Sequence, residues 1–265
     1  MKFENVLLAS DFDGTLKNDD GVITEDVKSA IKYFMKNGGK FTVCTGRIFQ
    51  GFHLYDPEYI NAPVLLGNGA MAYDYEKGKI IFNDAIESEG LPAVNEVLKE
   101  YPDISIEFYN FEKVCAVNLN QHSEQHFTSQ GIEFHKINSP EEAPLPWTKV
   151  MIAAHGCSKE VQEILDRFPE INYLKTTGNY VEILKKGVDK GTGLLKLAKA
   201  LGCSKKNTYS AGDGYNDVEM LVAANGGFVP ENGSQEALAV AKFVTRSNNE
   251  GCIAHAIEIL EEMYE

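Results

Sequence analysis

The stretch Asn-Val-Leu-Leu-Ala-Ser-Asp-Phe-Asp-Gly-Thr-Leu, residues 5–16, decides the fold of this 265-residue chain. Its first part, residues 5–9, predicts a short buried strand of the kind found in parallel sheets. A polar segment follows, then a predicted helix that begins after Thr24 and ends at Gly38-Gly39, and then a second predicted strand at residues 41–44. This strand–helix–strand order predicts an α/β fold with a Rossmann-like, doubly wound parallel sheet.

The rest of the chain predicts one core interrupted by an insertion. In the C-terminal third we expect helices at residues 190–201, 217–224, 235–241 and 249–263 and strands at 208–211, 227–229 and 243–245. The middle of the chain has longer strands with more alternation, such as residues 104–108 and 114–119, which predicts an α+β domain with an antiparallel sheet. We therefore expect a catalytic core of residues 1–82 and 186–265 and an inserted cap of residues 83–185.

Composition excludes several classes of partner. The formal net charge is −14, and a chain this acidic should repel nucleic acid and anionic membranes. No run approaches 18 apolar residues, the first residues lack the pattern of a secretory signal, and the five cysteines are scattered without a CxxC pair. We expect a cytoplasmic protein that needs no obligatory protein partner. If its substrate carries phosphate, cations beside the site must offset the overall charge.

The strongest chemical signal is the pair Asp11 and Asp13, directly after the first predicted strand. In an extended segment, side chains two residues apart point to the same side, so both carboxylates should face one pocket. Ligands of parallel sheets bind beyond the carboxyl ends of strands, where this pair lies. Two carboxylates so close repel each other unless they share a divalent metal or divide the work of nucleophile and acid/base. An Asx-turn at a strand end is the alternative.

Three further motifs follow strands or begin a helix. Thr45-Gly46-Arg47 follows the second strand and offers a hydroxyl and an accessible N–H to a phosphate oxygen. Lys190 stands where a predicted helix begins. A cation at a helix N-terminus is unfavourable, but it makes sense if the lysine and the helix N-terminus bind the same anion. Residues 212–217, Gly-Asp-Gly-Tyr-Asn-Asp, could complete an oxygen-rich Mg²⁺ site. Taken singly, each could also be an ordinary loop, an exposed lysine or an Asp-Gly turn.

Together and in this order, the four motifs resemble those of the haloacid dehalogenase superfamily. More narrowly, the chain resembles the Cof-type phosphatases, which carry an α/β cap between the second and third motifs. The resemblance spans essentially the whole length and extends to Asn68-Gly69-Ala70 and to residues 244–251. Residues 230–233, Pro-Glu-Asn-Gly, depart from the Met-Gly-Asn-Ala-like turn of relatives, but they include no catalytic position.

The resemblance implies a Mg²⁺-dependent phosphatase and a role for each motif residue. Asp11 would be the nucleophile that forms an aspartyl-phosphate, and Asp13 would be the acid that protonates the leaving oxygen and then activates water. The implied Mg²⁺ ligands are Asp11, the backbone carbonyl of Asp13, and Asp213. The implied phosphate-binding groups are the Phe12 backbone, Thr45, Gly46, Lys190 and Asn216. Arg47 would support them, and Asp217 would orient Lys190 or a water on the metal.

The substrate expected from this resemblance is a small phosphorylated metabolite, such as a sugar phosphate. Two alternatives use the same framework. A phosphomutase would also begin with attack by Asp11, whereas a non-catalytic phospho-ligand-binding module would be marked by loss of Asp11, Asp13 or Lys190, all of which are present. His122 and His126 are spaced to bind zinc from one helix face, but no third ligand is evident, so we favour an exposed helix of the cap.

Overall fold

The computed structural model describes residues 1–175 and 180–265. The chain divides into two compact units. The first unit comprises Met1–Gly46, Leu54–Phe82 and Asp189–Glu265, and the second comprises Arg47–His53 and Asn83–Val188. Residues 47–53 therefore group with the second unit. The functional roles expected for a core and a cap stay predictions.

The strands, in chain order, are β1 (Leu7–Ser10), β2 (Lys40–Val43), β3 (Val64–Leu66), β4 (Met71–Asp74), β5 (Lys79–Asn83), β6 (Ile106–Tyr109), β7 (Val114–Val117), β8 (His135–Lys136), β9 (Lys149–Ala153), β10 (Ile171–Lys175), β11 (Tyr180–Lys185), β12 (Thr208–Ala211), β13 (Gly226–Pro230) and β14 (Phe243–Thr245). The α-helices are α1 (Glu25–Lys36), α2 (Leu91–Glu100), α3 (Gln121–Gln130), α4 (Ser158–Leu165), α5 (Lys190–Ala200), α6 (Val218–Ala223), α7 (Gln235–Val240) and α8 (Cys252–Met263). In the part of the chain that the structure describes, each helix is too short or too polar to cross a membrane.

A parallel sheet forms the centre of the first unit, with strand order β14-β13-β12-β1-β2. Strand β1 lies between β12 and β2, and its last residue, Ser10, is in register with Ala211 on one side and Val43 on the other. All four residues of β1 are buried, as expected for a strand covered on both faces. This architecture confirms the predicted fold class.

Two helices show why the sequence forms this unit. Helix α1 buries Val27, Ile31 and Phe34 on one face, and each such side chain contributes roughly 1.5–3 kcal/mol when fully buried. Helix α5 begins with a capping box, in which the Asp189 side chain accepts from the Thr192 N–H at 2.7 Å. This cap satisfies amides that the first turn would otherwise leave without partners, so it fixes where Lys190 stands.

The structure differs from the predicted elements at two places in the first unit. The last helix begins at Cys252, not at residue 249, because Gly251 has a left-handed φ of 82° and Asn248–Glu250 form a separate 3₁₀ turn. In addition, residues 64–66 form the first strand of an antiparallel sheet, β3-β4-β5. The sequence analysis did not identify its second and third strands.

The second unit has a six-stranded sheet of order β10-β11-β9-β6-β7-β8. Its pairings are antiparallel except for β7 with β8. Trp147 is fully buried in the main core of this unit, together with Phe108 and Val150. The middle of the chain is thus the α+β arrangement that its alternating strands predicted.

Candidate active site

The carboxyl ends of β1, β2 and β12 lie side by side at one edge of the parallel sheet, because the three strands are parallel and in register. Asp11 follows β1 immediately, and its backbone N–H donates to the Ala211 carbonyl at 2.8 Å. Thr45 lies just beyond β2, and residues 212–217 follow β12. Three of the four sequence motifs therefore meet at the edge where parallel sheets bind ligands.

Lys190, the fourth motif, joins two of the others through its ammonium group. Its Nζ donates to Asp11 Oδ1 at 2.5 Å and to Asp217 Oδ1 at 2.6 Å. The Lys190 side chain is 0% exposed, and the side chains of Asp11 and Asp217 are 10% and 1% exposed. A buried ammonium needs such partners, because its charge is otherwise strongly destabilising away from water.

Asp213 is fixed by a second set of contacts from the first motif. Thr15 Oγ1 donates to Asp213 Oδ1 at 2.6 Å. Gly14 has a φ of +92°, and a Cβ at this position would lie 2.7 Å from Asp213 Oδ2. Glycine is therefore required here both for its backbone conformation and for the close approach of a carboxylate.

Asp217 holds the loop that follows β12. Its Oδ2 accepts from the backbone N–H groups of Asp213 at 3.1 Å and Gly214 at 2.9 Å, while its Oδ1 accepts from Lys190. One carboxylate thus links the loop backbone to the buried ammonium. This geometry suits an orienting role better than direct contact with a substrate.

Three of the predicted phosphate-binding residues, Thr45, Gly46 and Asn216, lie around Asn68, a residue to which the sequence analysis gave no role. The Asn68 N–H donates to the Thr45 carbonyl at 3.0 Å, and Asn216 Nδ2 donates to Asn68 Oδ1 at 3.1 Å. A Cβ on Gly46 would lie 3.2 Å from the same oxygen. The signal for Asn68 was present in the Asn68-Gly69-Ala70 motif, but sequence alone did not show which group its side chain binds.

Asp13 has different surroundings from Asp11. Its side chain is 51% exposed, and Lys17 Nζ lies 3.7 Å from its Oδ1. The neighbouring Phe12 is buried, with the Lys17 ammonium 4.8 Å from the centre of its ring. The Asp13 carboxylate is thus open to solvent, whereas that of Asp11 is buried.

The predicted site residues thus fall into two groups. Those that the structure places in the first unit are Asp11, Phe12, Asp13, Thr45, Gly46, Lys190, Asp213, Asn216 and Asp217. Arg47 groups with the second unit, where its Nη1 donates to the Gly51 carbonyl at 3.4 Å.

The electrostatics of the site are dominated by burial. Burial raises the pKa of Asp11 to about 8; Asp217 and Asp213 act in the same direction, and Lys190 opposes them. Burial also raises the pKa of Asp213, against the hydrogen bond from Thr15. For Lys190, burial alone would lower the pKa, but the carboxylates of Asp11 and Asp217 outweigh it and hold the pKa above its ordinary value. Three carboxyl groups therefore share one ammonium in a buried site, and a divalent cation there would favour their ionised forms.

Within residues 1–175 and 180–265, one group of potential metal ligands gathers closely: Asp11, Asp213 and Asp217, whose ligand atoms all lie within 4.8 Å of one another. These carboxylates could hold a divalent metal ion through oxygen ligands alone. Asp217 was not among the predicted metal ligands. Among the described residues, His122 and His126 belong to no such group.

The chain belongs to the haloacid dehalogenase-like hydrolases, since the model of that family matches residues 8–257. This match confirms both the resemblance read from the four motifs and the prediction of an enzyme.

Known proteins are similar over nearly the whole chain. A protein of Streptococcus pyogenes serotype M6, provisionally named a phosphatase, is 30% identical over 273 residues, which cover 95% of this chain and 96% of that protein. The 5-amino-6-(5-phospho-D-ribitylamino)uracil phosphatase YwtE of Bacillus subtilis is 25% identical over 284 residues, with 96% and 97% coverage. The solved structure of the subclass IIB sugar phosphatase BT4131 superposes with a TM-score of 0.85 at 21% identity, covering 96% of this chain and 98% of that one.

The central ion pairs give a prediction about stability. Lys190→Met should lower the free energy of unfolding by about 3–5 kcal/mol in metal-free buffer, because it leaves two buried carboxylates without their cation. Lys199→Met, on the exposed side of the same helix, should change stability by no more than about 0.5 kcal/mol. Urea unfolding of both variants measures the difference. Equal stability of the two variants would contradict the account of the site.

Proposed function

We propose that this protein is a Mg²⁺-dependent phosphatase that hydrolyses phosphate monoesters through an aspartyl-phosphate on Asp11. The observation that carries the proposal is the Asp11 carboxylate, buried at the end of β1 and held 2.5 Å from the Lys190 ammonium beside Asp213 and Asp217. A carboxylate fixed in this way is oriented for attack, and the ammonium beside it can bind an oxygen of the transferred group. The phosphatase names of similar proteins support the same assignment.

The reaction divides into two displacements at phosphorus. In the first, an Asp11 oxygen bonds to phosphorus, the bond from phosphorus to the ester oxygen breaks, and Asp13 gives its proton to the leaving alcohol. In the second, Asp13 takes a proton from water, the water oxygen bonds to phosphorus, and the Asp11 carboxylate is released with free phosphate. Both steps require in-line attack and cations around the equatorial oxygens. Asp13 thus ends the cycle with the proton that it needs for the next first step.

The transferred phosphoryl group would be bound by residues that the fold already fixes. Lys190 supplies the buried positive charge, and the hydroxyl of Thr45 and the amide of Asn216 supply neutral donors. The backbone of Phe12 and Gly46 would add N–H donors, since a glycine at position 46 leaves the peptide accessible. These groups contact the part that all phosphate esters share, so they would serve every substrate.

The metal would be held by Asp11, Asp213 and the backbone carbonyl of Asp13, with Asp217 in support. Asp217 already accepts hydrogen bonds from Lys190 and from two backbone N–H groups, which leaves it less suited to direct coordination. When bound, Mg²⁺ offsets the negative charge that gathers as a phosphate approaches Asp11. The oxygen-only donor set is the observation that fits this ion.

The proposed substrate is a small phosphorylated metabolite, and sugar phosphates are the class that we favour. This choice is supported by a similar fold described as a sugar phosphatase and by a relative named for a phosphorylated ribityl compound. The proposed location is the cytoplasm. A role for residues 83–185 in selecting the leaving group stays a prediction.

The two carboxylates of the first motif should differ in their effects on turnover. Asp11→Asn should abolish hydrolysis, because an amide is a poor nucleophile. Asp13→Asn should lower kcat/KM roughly 10²–10⁴-fold for a sugar phosphate, which needs acid catalysis, and much less for p-nitrophenyl phosphate. Steady-state kinetics with both substrates tests this, with circular dichroism as the control for folding. Appreciable turnover by folded Asp11→Asn protein would refute the covalent mechanism.

Metal removal should reversibly abolish activity. We expect EDTA to eliminate turnover and excess Mg²⁺ to restore it. When a phosphate binds beside the three carboxylates, Lys190 alone cannot offset their negative charge. Ca²⁺ should bind but support turnover poorly, since its looser and higher coordination disturbs in-line geometry. Phosphate release after dialysis, with each metal added back, measures this. Full activity in metal-free buffer would contradict the proposed cofactor.

A further inference from the structure

Two asparagines from separate loops pair with each other beside the first motif. Asn232 follows β13, and Asn248 follows β14. Asn232 Nδ2 donates to Asn248 Oδ1 at 2.9 Å, and the backbone N–H of Asn248 donates to Asn232 Oδ1 at 3.2 Å. Asn248 is 3% exposed, so these bonds are made away from bulk water. The pair joins the loops after two neighbouring strands of the parallel sheet.

The nitrogen of the Asn248 side-chain amide contacts the chain just after the first motif. Asn248 Nδ2 donates to the Lys17 carbonyl at 3.2 Å and to Asp19 Oδ1 at 3.0 Å. The amide thus uses its oxygen as an acceptor and its nitrogen as a donor to two groups at once. Neither Asp nor Ala could reproduce this, because Asp lacks the two donors and Ala lacks every side-chain partner.

The segment that Asn248 holds is also folded back on Asp13. The Lys17 N–H donates to the Phe12 carbonyl at 3.1 Å, and Asp13 and Lys17 form a bridge of the kind found between strands. The Lys17 ammonium lies 3.7 Å from Asp13 Oδ1. Lys17 therefore accepts from Asn248 at its carbonyl, donates its N–H to Phe12 and places its ammonium beside the Asp13 carboxylate.

Asp11 and Asp13 are consequently positioned by different parts of the fold. Asp11 is fixed by the sheet and by Lys190, whereas Asp13, which is half exposed, lies in a turn whose far side is attached to Asn248. A small displacement of an acid/base group lowers its efficiency sharply, because proton transfer requires a short, aligned hydrogen bond.

We propose that Asn248 is a positioning residue for the acid/base step, acting on Asp13 through the turn of residues 17–19. This inference rests on the proposed function, in which Asp13 protonates the leaving oxygen. It predicts that loss of the Asn248 amide weakens protonation of the leaving group more than it weakens nucleophilic attack by Asp11.

The test is the dependence of kcat/KM on the leaving group. This parameter reports steps through formation of the aspartyl-phosphate, so it includes departure of the alcohol but not the later attack of water. The probes are p-nitrophenyl phosphate, whose leaving group departs without a proton, phenyl phosphate and a sugar phosphate. Asn248→Ala should lower kcat/KM about tenfold or more for the sugar phosphate and less than about threefold for p-nitrophenyl phosphate.

Two reference variants define the outcomes. Asp13→Asn should show the same steepened dependence in a stronger form, and Arg246→Ala, an exposed neighbour that pairs with Glu258, should match the wild type. An equal loss for all three substrates in Asn248→Ala, or no loss at all, would overturn the inference while leaving the phosphatase function standing. A wild-type protein that hydrolyses none of the substrates would instead remove the proposed function, and this inference with it.

Should Asn248→Ala fail to fold, Asp19→Ala carries the same test. Asp19 lies on the exposed side of the turn and accepts hydrogen bonds from the amides of Asn248 and Asn249. Loss of the Asp19 carboxylate removes these two hydrogen bonds from the turn but keeps the buried bonds between Asn232 and Asn248. The expected result is a selective loss for the sugar phosphate in the same direction, and an unchanged leaving-group dependence would overturn the inference.

Discussion

The site depends on one buried ammonium group. Lys190 Nζ lies between Asp11 and Asp217, residues 179 and 27 positions away in the sequence, and contacts both within hydrogen-bonding distance. Because the lysine is fully buried, moving either carboxylate away from it would leave an uncompensated charge in a low-dielectric interior. The end of β1, the loop after β12 and the start of α5 must therefore assemble together. This same constraint places Asp11, the proposed nucleophile, beside a cation.

Close backbone packing makes that arrangement possible. A Cβ on Gly193 of α5 would lie 2.6 Å from the Cα of Gly69, and a Cβ on Gly69 would lie 2.4 Å from the Asp189 carbonyl oxygen. Gly69 also has a φ of +89°, which side chains rarely adopt. The first turn of α5, which includes Lys190, thus packs directly on the turn after β3, which includes Gly69. Glycine here is a packing requirement, not a source of flexibility.

The sequence revealed the parts of the site that follow from strand order. Asp11, Thr45, Lys190 and Asp213 were predictable because each stands at a strand end or a helix start, and parallel strands bring such ends together. The contacts of Thr15, Asn68 and Asn248 were not, because their partners are far away in the sequence and a side-chain amide carries no periodic signal. The start of α8 was misplaced because residues 249 and 250 belong to a separate 3₁₀ turn, which Gly251, with its left-handed φ, divides from the helix.

The central claim is that Asp11 becomes covalently attached to phosphorus before water attacks. The stereochemical course at phosphorus tests it most directly, because each in-line displacement inverts the configuration. A thiophosphate monoester made chiral with oxygen isotopes can be hydrolysed by the enzyme in isotopically labelled water and its product analysed by ³¹P NMR. Two displacements predict net retention of configuration. Net inversion would show that water attacks the ester directly and would contradict the role assigned to Asp11.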